Sequence, residues 1–274
     1  METRTRNTNT VVGAVLIGLV VLAAVVSFFW TPHDPLKVNA SIRLLGPTGD
    51  YVFGTDKFGR DVASQIMVGA RTTLYVGVVA VGIAALIGTP LGILAGMSRR
   101  WLGEFVMRVN DLVLAFPALL LAIMFGAVYG ASTLTAMIAI GIATVPSFAR
   151  IARSATLQVM SAEYVLAARS AGRSRLNIAL RHVVPNISGL LIVQASVSFA
   201  IAVLAEAALS FLGFGTRPPT PSWGRMLQES QELLTVQPRL ALVPGIAIAL
   251  AVLGFNLLGD GLRDRFDPRL AARL

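Results

Sequence analysis

The chain contains no cysteine. It therefore forms no disulfide, offers no thiolate nucleophile and binds no metal through sulfur, and redox chemistry says nothing about its compartment. Lysine is nearly absent as well. The two present are Lys37 and Lys57, and neither follows a glycine. A phosphate-binding P-loop needs Gly-Lys followed by Ser or Thr, so ATP is not bound and hydrolysed here by that motif. No G-x-S-x-G elbow accompanies the many serines, which removes the commonest signature of a serine hydrolase. Charge is scarce: Asp, Glu, Lys and Arg make up 14% of the chain, against about 25% in soluble domains. No repeat of about 20 to 50 residues and no low-complexity linker divides the chain.

What fills the chain is apolar. Hydrophobic residues make up 55% of it, in several uncharged runs as long as the roughly 20 residues that cross a bilayer as helix. The reading is an all-α polytopic membrane protein with six spans. Val11 to Trp30 is the first, an apolar run of 20 residues that ends in FFW and passes into TPHDP with no small-x-small cleavage site, so it is read as a retained span rather than a signal peptide. Thr72 to Ser98 carries no charge over 27 residues. Its Gly88, Gly92 and Gly96 form a G-x-x-x-G ladder that lets another helix approach, and Pro90 is a kink candidate. Leu112 to Tyr129, with Pro117 inside it, is the third span, and Asp111 at its mouth is expected to pair with Arg108. Residues 131 to 149 are the fourth, Ile187 to Leu209 the fifth and Leu240 to Gly259 the sixth. Glu206, near the end of the fifth, is either a functional acid at membrane depth or the acceptor of a structural hydrogen bond.

The most polar stretch is EYVLAARSAGRSRLNIALRHVVPN, residues 163 to 186. Ser161 caps a short helix with Glu163 in its first turn. Gly172 breaks that helix, and Ser174 caps a second one whose Leu176, Ala179, Leu180 and Val183 form one apolar stripe. Arg173, Arg175 and Arg181 flank the stripe. Pro185 is expected to end the second helix. A hairpin with an apolar ridge and a basic flank suits docking into another protein's groove.

Net charge is +9, but it sits in short loops between spans, which argues against nucleic-acid binding and for membrane orientation. Of the 23 basic residues, 15 fall on the side of the N-terminus and 8 on the other, from Lys37 to Arg239. The positive-inside rule makes the first side cytoplasmic, with both termini and the polar hairpin on it. His33 and His182 then lie on opposite sides and share no metal.

The polar stretch resembles the cytoplasmic EAA loop of ABC importer permeases. Ala167, Ala168, Gly172 and Pro185 fall at the matching spacing, while Leu166, His182 and Val184 stand where that pattern has Glu, Ile and Leu. The variant AAR-x-x-G with R-H-x-x-P-N resembles the branch that imports peptides and nickel. So does G-T-D-x-x-G-R-D-x-x-S, met at Gly54, Thr55, Asp56, Gly59, Arg60, Asp61 and Ser64. The stretch EAALSFLGFGTRPPTPSWGRML, residues 206 to 227, resembles a third signature of that branch, and the run from Phe255 its closing one. The resemblance implies a type I ABC importer transmembrane domain, non-catalytic, with no cofactor in this chain. ATP and Mg²⁺ belong to partner ATP-binding subunits, beside a second homologous permease, an extracytoplasmic substrate-binding protein and membrane lipid. It implies three parts: residues 1–70 (tail, first span and outer loop), 71–260 (permease domain with coupling loop 153–186) and 261–274 (cytoplasmic tail). Glu163, Ala167, Ala168, Gly172, Arg173, Arg175, Leu176, Leu180, His182 and Pro185 would carry coupling to the ATPase. Asp56, Arg60, Asp61, Glu206 and Trp223 are outer-side candidates.

For Asp56, Arg60 and Asp61 the residues themselves favour a local turn held by Asp–Arg pairs over substrate contact. For residues 206 to 227, three prolines and three glycines oppose regular helix, and Phe211, Phe214 and Trp223 suit the membrane interface. That loop either meets a partner or forms a rigid plug. Short peptides are the expected cargo, because the spans hold no Cys or His to guide a transition metal; nickel is the alternative. A self-sufficient secondary transporter is the competing class. It would need coupling-ion sites at mid-membrane, where this chain has almost no charge.

Overall fold

The computed structural model describes residues 2–266. Among them every regular element is helical, and one isolated bridge joins Thr55 to Asp61. The elements are α1 (Glu2–Ser27), α2 (Val62–Met97), α3 (Arg100–Ala115), α4 (Ala118–Tyr129), α5 (Thr133–Met160), α6 (Glu163–Ser170), α7 (Arg175–Ile178), α8 (Val184–Phe211), α9 (Trp223–Ser230) and α10 (Arg239–Phe266). Five helical stretches are long and apolar enough to cross a membrane, and α3 with α4 makes a sixth if the bent pair is one span.

The first span is α1, Glu2–Ser27, and the sixth runs on to Phe266; the second, third and fourth differ from the sequence pattern for reasons the local residues supply. The second starts ten residues early, because Asp61 caps α2 through the backbone amides of Ala63 and Ser64. The third is broken by 78°. Pro117 has no N–H to continue the ladder, and it holds Phe116 in extended backbone at ψ 124°. The fourth runs past residue 149 to Met160, carrying Arg150 and Arg153 on helix.

Pro185 does not end a helix. From α7 the chain passes through a π turn at Ala179–Val183 straight into α8. The amide of Val184 reaches back to the Ala179 carbonyl, one residue further than in an α-helix. The wider turn leaves room for the proline ring in the first turn of α8. Asn186 Nδ2 then donates to the His182 carbonyl at 2.6 Å. The fifth span is therefore rigidly continuous with the hairpin.

The glycine ladder does what its spacing predicts. A Cβ on Gly88 would lie 2.5 Å from the Val145 carbonyl, and one on Gly92 2.3 Å from that of Ala149. On Gly96 it would lie 2.8 Å from Thr156. So α2 and α5 run side by side in the same direction, backbone against backbone. Lipid gives no hydrophobic drive for helix association, so close packing of small residues holds such helices together. The same principle shows in the core, where Ala80, Ala136, Ala139 and Ala202 pack between α2, α5 and α8.

Candidate functional site

The polar hairpin projects from one end of the bundle. Its α6 has no side-chain N-cap: Ala162 holds that position. Ser161 instead closes α5, donating to the Gln158 carbonyl at 2.8 Å. Glu163 does lie in the first turn. Gly172 sits at φ +77°. Its amide reaches the Arg169 carbonyl at 2.9 Å, and that of Arg173 reaches Ala168 at 3.1 Å. This pair of bonds is a Schellman ending, which needs a left-handed residue after the helix. Ser174 then caps α7, accepting from the Asn177 amide at 3.3 Å.

The expected apolar stripe divides. Val183 and Ile178 are fully buried beside Val165 of α6, and they pack against Ala152, Ala155 and Met160 of α5. This anchors the hairpin to the spans. Leu176 and Leu180 face outward, 69% and 60% exposed, and Tyr164 and Leu166 of α6 are exposed as well. Arg169, Arg173, Arg175 and Arg181 are exposed around this apolar patch, as is Ala167, while Ala168 and His182 are half-buried. The His182 ring sits 5.8 Å from that of Tyr164. The structure thus brings the hairpin candidates to one end, with an outward apolar patch inside a basic rim.

The outer-side candidates gather at the opposite end of α8, whose 28 residues put about 42 Å between the two ends at 1.5 Å per residue. Asp56 accepts from the Arg60 amide at 2.9 Å and from Arg60 Nε at 2.6 Å. The turn reading holds there. The structure adds a long-range partner: Arg60 also pairs with Glu229 of α9, which Arg225 engages at 2.9 Å. Arg239 donates to the carbonyls of Phe53, Leu45 and Thr55. The two loops at this end are therefore one cap. Asp61 is occupied with its capping role and is 2% exposed. Glu229 and Arg239 were not singled out from the sequence. The i+4 spacing from Arg225 was a visible signal for Glu229, but nothing local announced Arg60 as its partner.

Trp223 is not an interface residue. It is 2% exposed, it donates to the Ile66 carbonyl at 3.0 Å, and its ring fills the space that Gly69 leaves on α2. It also begins a helix. Of residues 206 to 227, only 212 to 222 are irregular, since the ends belong to α8 and α9.

Glu206 is 1% exposed. Ser210 Oγ donates to its Oε1 at 2.7 Å and Thr216 Oγ1 at 3.2 Å. The Thr216 amide in turn donates to Ser210. The carboxyl thus folds the loop after α8 back onto the helix end. Glu206→Gln keeps an acceptor oxygen for those hydroxyls and is expected to hold the wild-type thermal midpoint. Glu206→Ala leaves them unpaired and is expected to cost about 1–3 kcal/mol. A Gln variant that is stable yet inactive in uptake would move Glu206 from a structural to a functional role. Asp111, expected to pair with Arg108, instead pairs with Arg150 of α5 at 2.6 Å.

The model of a family described as "Binding-protein-dependent transport system inner membrane component" matches residues 88–272. The dipeptide transport system permease protein DppC of Alkalihalophilus pseudofirmus is 42% identical over 265 residues, covering 97% of this chain and 87% of that protein. The glutathione transport system permease protein GsiD of Pectobacterium atrosepticum is 39% identical over 262 residues, covering 94% and 87%. Among solved structures, the MetNI methionine ABC transporter in an inward-facing conformation matches with a TM-score of 0.56 at 17% identity. That match covers 75% of this chain and 94% of the other, and it shows a shared fold.

Proposed function

The chain belongs to the family of binding-protein-dependent transport system inner membrane components and is a permease subunit of an ABC importer; from that premise we propose that it carries short peptides inward. It does so with a second permease, driven by partner ATPases that dock on the α6–α7 hairpin. Two named relatives, the dipeptide and glutathione permeases, support the cargo, and so does the lack of Cys and His in the spans. The outward patch of Leu176, Leu180, Tyr164 and Leu166 is the observation that carries the docking reading. An exposed apolar group on a polar loop is stable when a partner groove covers it.

The hairpin works as a lever. Its buried face ties it to α5, and the π turn makes it one piece with α8, so a push from the ATPases moves both spans together. ATP and Mg²⁺ act in those subunits, and this chain supplies no catalytic group. A substrate-binding protein delivers cargo to the outer cap, which Asp56, Arg60, Asp61, Glu206 and Trp223 hold together from within. The arginine asymmetry places the termini and the hairpin in the cytoplasm. Reporter fusions at residues 45, 130 and 225 are then expected to report outside, and those at 102 and 170 inside. The corresponding fusion at 270, with Arg269 and Arg273, lies outside the described residues.

Two measurements test the reading. Leu176→Asp with Leu180→Asp is expected to abolish co-purification of the ATPases without loss of the membrane protein, because neither side chain packs in the core. Retained co-purification would place docking elsewhere. In reconstituted vesicles, binding protein loaded with di- to pentapeptides is expected to stimulate ATP hydrolysis. Stimulation by nickel complexes alone would reject peptides as cargo.

A further inference from the structure

The third span breaks deep among the other spans. A Cβ on Gly103 would lie 2.5 Å from the Ala95 carbonyl, and Met107 packs in one cluster with Leu91 and Ala149. So α3 runs antiparallel to α2, away from the hairpin and toward the cap. Continued at that rise, Pro117 comes level with about Val81. The other half of the span agrees. Ala122 of α4 packs in one cluster with Ala80 and Ile140, and Gly141 sits against Ala80 and Ile83. On the hairpin side the nearest charge along α3 is Asp111, about 9 Å of helix from Pro117. On the cap side the nearest along α2 is Arg71, about 15 Å from Val81. The break therefore lies at hydrocarbon depth.

Such a break opens the backbone. The Phe116 amide turns to the Val113 carbonyl, and the Leu121 amide is the first in α4 to find a backbone acceptor, on Pro117. The carbonyls of Leu114, Ala115 and Phe116 have no backbone partner among the described residues. Neither do the amides of Ala118, Leu119 and Leu120, and no side chain caps α4. The fold does not cover this stretch: every residue from Leu114 to Ala118 is exposed, Phe116 at 54%.

Hydrocarbon offers neither donors nor acceptors. Irregular backbone at this depth is tolerated only inside protein or against a water-filled cavity. Lipid is thus excluded from this face. A line of polar groups leading to the break selects water. Asp111 and Arg150 pair on the hairpin side with their side chains 45% and 55% exposed. Counting one turn on from that pair along antiparallel α3 and α5 sets Ser147 opposite Leu114, and Ser147 is half-buried. An open ion pair, a hydroxyl and open backbone form a wettable track from one end of the bundle to its middle.

We infer that the Phe116–Pro117 break lines the water-filled cargo pathway and forms its polar wall at mid-membrane. This rests on the permease reading above and gives it a pathway face. The wall offers donors and acceptors without charge. A hydrated peptide can pass it whatever its side chains, because only backbone groups meet it.

The chain has no cysteine, so each introduced thiol reports a single position. Single cysteines would be placed at 114, 116 and 118, with 19 for comparison. The full chain would be held with its second permease and ATPases in lipid nanodiscs, where both faces meet solvent. Leu19 is 57% exposed on the unbroken helix α1. It lies about 14 Å of helix from Phe28, whose ring carries Arg71, and so matches the break in depth. A thiol reacts as its thiolate, which apolar surroundings disfavour. A charged thiol reagent is expected to modify 114, 116 and 118 about tenfold or more faster than 19. Full modification at 116 by a bulky reagent is expected to abolish peptide uptake. Rates at 114, 116 and 118 as low as at 19 would overturn the inference, with lipid or the second permease covering the break. Unchanged uptake after full modification at 116 would place the pathway elsewhere. Labelling is read without transport. Fast labelling in an assembly that takes up no peptide would therefore reject the cargo and keep the wet wall.

Discussion

Replacing Gly172 with Val is expected to abolish uptake while the protein still reaches the membrane. The cause is confined to the backbone. Gly172 holds φ +77°, and a Cβ there meets nothing within 4 Å. No clash contributes, so the cost is that of forcing a β-branched residue into the left-handed region, about 1–3 kcal/mol. The chain relieves that strain by giving up the Schellman ending. Released from it, α6 and α7 lose their fixed angle, and the exposed side chains of α7 no longer keep their place relative to those of α6. ATP hydrolysis and transport are then expected to separate. Gly172→Asn is the control, since Asn tolerates the left-handed region; it is expected to keep uptake near wild type. Co-purification with the ATPases, their hydrolysis rate and peptide uptake are the three readouts. Normal uptake in the Val variant would rule out the hairpin as a stiff lever.

The second large effect is on folding. Gly92→Leu is expected to remove most of the folded protein. A Cβ on Gly92 would lie 2.3 Å from the Ala149 carbonyl and 2.6 Å from Ala152 Cβ, with the Arg153 amide at 2.9 Å. Two of these neighbours are backbone of α5 and cannot rotate aside, so the helices must separate. Overpacking of a tight site costs about 1–3 kcal/mol and sometimes more. Here the added atoms also open the contact that Gly88 and Gly96 make on either side. Gly82 is the matched control. It lies on the same helix, and a Cβ there meets nothing within 4 Å, so Gly82→Leu is expected to fold. Thermal midpoints in detergent by size-exclusion would compare the two. A wild-type midpoint for Gly92→Leu would contradict the backbone contact of α2 and α5.

Features that depend on neighbours in sequence were legible in advance. The apolar runs located the spans, because a bilayer selects for length and absence of charge. The G-x-x-x-G spacing announced the close face of α2, and Gly172 and Ser174 announced the hairpin's turn and cap, since a left-handed residue and a hydroxyl cap act within a few residues. The resemblance at Ala167, Ala168, Gly172 and Pro185 pointed to the family that the comparisons then showed.

Tertiary structure decided the rest. Pro185 reads as a helix end because its ring opposes an α-helical ladder; only the π turn before it lets α7 flow into α8. Trp223 reads as an interface residue from its chemistry, and it becomes core because Gly69 leaves a slot on a helix more than 150 residues away in the chain. Asp111 had a plausible partner three residues off in Arg108, yet Arg150 on α5 is nearer once the helices pack. Arg60 finds Glu229 across 169 residues. The stripe of Leu176, Leu180 and Val183 was visible as apolar, but which members anchor and which face outward depends on where α5 lies. Local pattern fixes which residues can share a face; the packing of distant helices chooses which face is covered.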